Sequence, residues 1–164
     1  MNKIAIIAII LLNVVKLSAD TIPKNEILNV HNYCREIVGV HKLQWSDTLA
    51  QIAQAWADTI AITGQIHHSH NPNYGENLFW STYRASWKTA IEAWCNEQKY
   101  YHGEKITYVG AEKYGHYTQV IWNKTLYVGC GQSKTKGGLY IYVCEYYPPG
   151  NFIGQYPYNK KRKK

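Results

Sequence analysis

Apolar residues recur at helical spacing soon after Pro23: Ile27, Val30, Cys34 and Ile37 share one side, and Gly39 ends the run. A second stripe of Leu49, Ile52, Ala53, Trp56 and Ile60 follows the N-cap pair Ser46-Asp47 and stops at Gly64. Ser86 can cap a third helix that carries Trp87, Ile91, Trp94 and Cys95 on one side. Between these stripes, residues 64–74 read as loop, rich in His and Asn and interrupted by Pro72. Residues 75–80 are short and ambiguous, and 102–115, with Gly103, Gly110 and Gly115, read as loop. Thr118 to Trp122 fits either a helical turn or a strand. The pattern then changes to strand-like runs, Tyr127 to Ser133 and Leu139 to Tyr147, around the turn-rich segment 134–138. Helices first and an antiparallel hairpin last predict an α+β fold or a layered sandwich.

Four cysteines allow three pairings, and the hairpin narrows them. If residues 136–138 form a three-residue loop, Thr135 faces Leu139, and counting outward sets Cys130 opposite Cys144. Directly opposed Cβ atoms lie within reach of a disulfide. Cys34 and Cys95 are then left for each other, on separate helices.

The N-terminus predicts export. Lys3, an apolar run from Ile4 to Val15, and Leu17-Ser18-Ala19 read as a signal peptide over residues 1–19, too short to span a bilayer comfortably. The expected protein is therefore secreted and extracellular, where disulfides persist. Beyond it, 16 basic residues face 11 acidic ones, and the last five residues, Lys160 to Lys164, supply the whole excess. Residues 159–164 read as a disordered basic tail able to meet a membrane or cell-wall surface. Nucleic acid is excluded as a partner, because phosphate binding needs basic residues on the domain body. With 15 Tyr and 6 Trp against 2 Phe, most large side chains carry a polar group, which suits a wet cleft and amphipathic ligands. Asn123-Lys124-Thr125 is an N-glycosylation sequon.

His68, Glu76, Glu97 and His116 are the residues able to carry chemistry: two imidazoles and two carboxylates bind a divalent metal or share protons. Their spacing alone does not bring them together. Surface positions such as His67, His70 and His102 read as solvated, and Ser69 as a turn residue. No serine sits in a nucleophile elbow, and oxidised cysteines offer no nucleophile.

Taken in order, the segments resemble the CAP superfamily of cysteine-rich secretory, antigen 5 and plant pathogenesis-related class 1 proteins. The resemblance rests on His31-Asn32 with Arg35, His68-Ser69, Gly75-Glu76-Asn77-Leu78, and Ala93-Trp94 with Glu97. It is carried furthest by residues 115–122 (GHYTQVIW), Val128-Gly129-Cys130-Gly131, Tyr142 to Tyr146, and Pro149-Gly150-Asn151. It implies a CAP domain over residues 20–158, folded as a three-layer α-β-α sandwich with a central antiparallel sheet. It also implies a cleft in which His68, Glu76, Glu97 and His116 converge and can hold zinc or another divalent cation. The Cys130–Cys144 bond is implied independently. Among relatives the pattern is closest to fungal sterol-binding and plant pathogenesis-related members, which implies a sterol, fatty acid or other lipid as ligand. Fungal sterol binders carry a cysteine before the His-Ser pair, where this chain has Ile66. The resulting expectation is a secreted binding protein, monomeric or weakly dimeric. Its alternatives are a hydrolase with Glu76 or Glu97 as general base, and a defence or virulence effector acting by surface recognition.

Overall fold

Helix α1, Lys24–Ile37, begins after Pro23, and the computed structural model describes residues 22–158 around it. The expected signal peptide and basic tail lie outside the described residues. The face α1 buries differs from the apolar stripe. Ile27 and Cys34 are inside as expected, but Ile37 is exposed, and His31 and Arg35 are fully buried beside them. Strand β1, Gln44–Trp45, leads into α2, Asp47–Thr63, whose N-cap Ser46 accepts the Leu49 N–H at 3.3 Å. Strand β2 covers the ambiguous segment as Gly75–Ser81. Ser86 caps α3, Trp87–Cys95, by accepting the Thr89 N–H at 3.0 Å, and a 3-10 turn over Asn96–Tyr100 follows.

The structure corrects the loop expected at 102–115. Helix α4 runs over Tyr108–Val120, bent at Tyr114, and Thr107 caps it through the Gly110 N–H. Sequence periodicity breaks at Gly110, yet a Cβ there would collide with the phenol of Tyr114 one turn further along the same helix, so a local contact requires the residue that weakens the helical pattern. Thr118 to Val120 is thereby helix and not strand.

Strands β3, Tyr127–Lys134, and β4, Tyr140–Tyr147, form the hairpin, and the sheet order is β1-β3-β4-β2. Pairing is antiparallel except for the two-residue β1, which lies parallel to β3. Thr135 faces Leu139 through its N–H, and Cys130 is the register partner of Cys144. Both disulfides form as expected, Cys130–Cys144 across the hairpin and Cys34–Cys95 between α1 and α3.

Because side chains alternate along a strand, the sheet divides the core in two. On one face Leu78, Ile141 and Val143 pack against Ala53, Ala57 and Ile60 of α2. On the other, Tyr142, Tyr146, Cys130 and Cys144 pack against α1, α3 and α4 through Ile27, Trp94, Tyr117 and Ile121. This is the α-β-α sandwich. Helix α2 lies close against β3 because Gly129 and Gly131 lack side chains there. A Cβ on Gly129 would overlap the Ala50 nitrogen and approach the Ser46 carbonyl at 2.5 Å, and Gln54 clamps the Gln132 backbone in both directions. Gly129→Ala is therefore expected to destabilise the domain by about 2–3 kcal/mol, as overpacking does. Thermal melting checks this; an unchanged midpoint would mean α2 can back away freely.

Candidate functional site

The loop between α2 and β2 returns His68 to the start of the edge strand. There His68 Nδ1 meets Glu76 Oε1 at 2.5 Å, and the Ser69 N–H donates to both Glu76 oxygens at 3.0 and 3.3 Å. The Glu76 side chain is nearly buried, while that of His68 is half exposed. Burial pushes the Glu76 carboxyl up, but the hydrogen bonds from His68 and Ser69 outweigh it and hold the group below its usual value. Ser69 has the turn role expected of it, its hydroxyl accepting the Asn71 N–H at 3.4 Å.

A second pair repeats the arrangement on α4. His116 Nδ1 meets Glu97 Oε1 at 2.6 Å, and the Tyr117 N–H donates to Glu97 Oε2 at 3.1 Å. Trp94 stacks against the His116 ring, with centroids 6.2 Å apart and planes at 17°. A carboxylate only accepts, so in each neutral ring Nδ1 carries the proton and Nε2 presents its lone pair. No hydrogen bond within the described residues engages either Nε2.

Adjacent residues of β2 tie the pairs together. Glu76 points toward the α2 face, and Asn77, on the opposite face, donates to the His116 carbonyl at 3.1 Å and to the Tyr146 hydroxyl at 3.2 Å. Tyr146 in turn meets His31 Nε2 at 2.8 Å, while His31 Nδ1 donates to the Ile27 carbonyl at 2.9 Å. Burial lowers the His31 pKa to about 4, so the ring is neutral and this core chain of hydrogen bonds has a fixed direction. The structure thus joins the four expected residues as two imidazole–carboxylate pairs, His68 with Glu76 and His116 with Glu97. Among the described residues, no three His, Cys, Asp or Glu side chains are gathered around one point.

One residue of the site escaped sequence reasoning. Glu145 on β4 is the register partner of Glu76, so the two carboxyls share a face. Glu145 is buried, no donor among the described residues satisfies its oxygens, and burial together with the Glu76 charge pushes its pKa up to about 9. It is a neutral acid at pH 7. Its signal was available: a carboxylate inside the apolar run Ile141–Tyr146 of a strand hydrogen-bonded on both sides.

Both Glu76 and Glu97 orient a histidine and accept a backbone N–H. What the site leaves outward is imidazole nitrogen. Over the first pair lies a cleft of about 220 Å³, bordered by Tyr74, Gln119 and Asn151.

The profile of the CAP, or cysteine-rich secretory protein, family matches residues 28–146, and the chain belongs to this family. Its relatives include pathogenesis-related protein 1C of Nicotiana tabacum, 41% identical over 137 residues, covering 82% of this chain and 80% of that protein. A pathogenesis-related protein of the PR-1 type from Sambucus nigra is 31% identical over 157 residues, 95% of this chain and 94% of that one. Among solved structures, that of NaASP2 with Zn2+ superposes with a TM-score of 0.73 at 23% identity, covering 84% of this chain and 85% of that one.

Proposed function

We propose that this chain is an extracellular, defence-related binding protein and not a hydrolase; its relatives are named pathogenesis-related. The observation that carries this reading is the engagement of both candidate bases. Glu76 and Glu97 each already hold an imidazole Nδ1 and a backbone N–H, which favours a positioning role over that of a general base.

The same arrangement favours a divalent cation such as zinc at His68 and His116. A ligating histidine needs its other nitrogen held by a carboxylate, which fixes the tautomer and the ring plane. Two imidazole ligands also leave open positions for an oxygen of a bound molecule. The cation would supply a Lewis-acidic anchor there. NaASP2, related in fold, was solved with Zn2+. His116→Ala is expected to weaken zinc binding by at least about tenfold in calorimetry. The variant should still fold, since the ring is partly exposed, with a modest loss of melting temperature from its stacking on Trp94 and its bond to Glu97. Unchanged zinc affinity would remove the metal from this reading.

A sterol or fatty acid is the ligand that the family likeness suggests, and equilibrium binding of labelled cholesterol and a fatty acid, with and without zinc, tests it. Saturable binding assigns a lipid carrier, and its zinc dependence says whether the histidine pairs organise the groove. Absence of both assigns recognition at a surface. The basic residues Lys160 to Lys164 would add attraction to anionic lipid or wall polymer in either case.

A further inference from the structure

A separate cavity of about 420 Å³ opens where the N-terminus of α2 meets the end of the β3–β4 hairpin. That volume lies in the ~300–1,000 Å³ range of small-molecule sites. Its walls are Tyr74, Tyr127 and Tyr147, its floor is the buried Leu49, and Ser46, Thr48 and Asn73 complete the rim. Tyr127 and Tyr147 are register partners, so their rings stand side by side on one face. Tyr74 meets Tyr147 edge-on at 6.2 Å.

The walls are rigidly mounted. The Ser46 N–H donates to the Val128 carbonyl and the Leu126 N–H to the Tyr147 carbonyl, both at 2.9 Å, and Gly129 seats α2 directly beneath. Their polar groups, by contrast, are unspent: among the described residues, no hydrogen bond engages the side chains of Thr48 and Asn73 or the three phenol hydroxyls. A preformed cavity with unspent hydroxyls and amides is arranged for a ligand rich in hydroxyls.

The lining selects further. No charged side chain lines the cavity, and the nearest charge in sequence is the Asp47 carboxylate, already held by Lys24 and by the Trp45 indole. An anionic headgroup therefore finds no cation here. Leu49 is the single aliphatic residue of the lining, too little to sheathe a sterol. Three phenol rings with hydroxyl and amide groups between them match a ligand with apolar C–H faces and hydroxyl edges.

We propose that this cavity is a binding site for a neutral oligosaccharide, its sugar rings stacked on Tyr127 and Tyr147 and its hydroxyls bonded to Thr48 and Asn73. Tyr74 also borders the cleft over the His68–Glu76 pair, so a sugar chain seated here runs toward that pair without depending on it. The site is independent of the metal and lipid reading.

The test is calorimetric titration of the full chain with laminarihexaose, cellohexaose and chitohexaose, in the presence and absence of a zinc chelator. Saturable binding of at least one is expected. It should be weakened at least about tenfold by Tyr127→Ala and by Tyr147→Ala, the loss of a stacked ring. Thr48→Ala, on the exposed rim, gives a variant that does not disturb the hairpin and should weaken the same binding. His116→Ala and chelation should leave it unchanged. The proposal is overturned if none of the three sugars binds, if binding survives all three rim substitutions, or if it disappears with chelation or in His116→Ala.

Discussion

Replacing Arg35 with alanine is expected to lower the melting temperature by roughly 10–20 °C. The guanidinium is fully buried and, among the described residues, has no carboxylate partner. It donates instead to four backbone carbonyls: Nε to His41 at 2.6 Å, Nη1 to Val120 and Trp122 at 2.8 and 2.9 Å, and Nη2 to Thr125 at 2.9 Å. Three of these carbonyls belong to the end of α4 and the turn after it, so a side chain from α1 closes the C-terminus of another helix. The positive charge sits where a helix end favours it. Burial lowers the Arg35 pKa to about 10, which still leaves the group charged at neutral pH. Alanine would strand all four carbonyls in the core, at a cost of about 1 kcal/mol or more each. Lysine carries the charge but not the planar fork, so Arg35→Lys should recover only part of the loss. A melting temperature for Arg35→Ala within a few degrees of the parent would show that water replaces the guanidinium freely.

The second large effect has the opposite sign. Glu145→Gln is expected to raise stability at pH 8 by about 2 kcal/mol, and the gain should vanish near pH 4. The folded chain keeps the Glu145 proton up to about pH 9, whereas an unfolded glutamate releases it near its ordinary value of 4.5. Between those values the folded state binds more protons, so the contribution of this group falls as pH rises. Glutamine keeps the neutral shape and removes the titration. His31 acts on the acid side: its folded pKa of about 4 against the usual 6.5 costs stability as pH drops below 6.5. The difference between the parent and variant melting curves across pH 4–9 isolates Glu145, because His31 is common to both. Parallel curves would mean that the carboxyl finds water and ionises in place.

Local rules carried much of the architecture. Ser46 and Ser86 are caps where the sequence placed them, and counting outward from Thr135 and Leu139 was enough to pair Cys130 with Cys144. What local rules could not supply was anything decided across layers. Helix α4 carries Gly110, Gly115 and no apolar stripe, and the buried seat of its Tyr114 among Tyr101, Ile106 and Trp122 exists only in the folded chain. His31 and Arg35 were legible as part of a family pattern, but nothing in their spacing announced that a histidine and an arginine would occupy the core side of α1. The candidate site shows the same division. Motif resemblance chose His68, Glu76, Glu97 and His116, while their arrangement as two pairs depends on β2 separating Glu76 from Asn77 by one pleat. Glu145 was visible as a misplaced charge in a strand, and only the register with Glu76 gives that charge a neighbour.

Covalent bonding is distributed unevenly across the sandwich. Cys34–Cys95 ties α1 to α3, and Cys130–Cys144 faces the same side of the sheet, so both cross-links lie within one half of the molecule. Helix α2 is joined to the other half by close contact with Gly129 and Gly131 and by the Gln54 clamp. A protease or denaturant therefore meets one wired side and one unwired side. The loop that carries His68 leaves directly from α2, so loosening that helix frees the His68–Glu76 pair first. The His116–Glu97 pair lies inside the wired half, so the cross-links hold one histidine pair directly and the other only through packing.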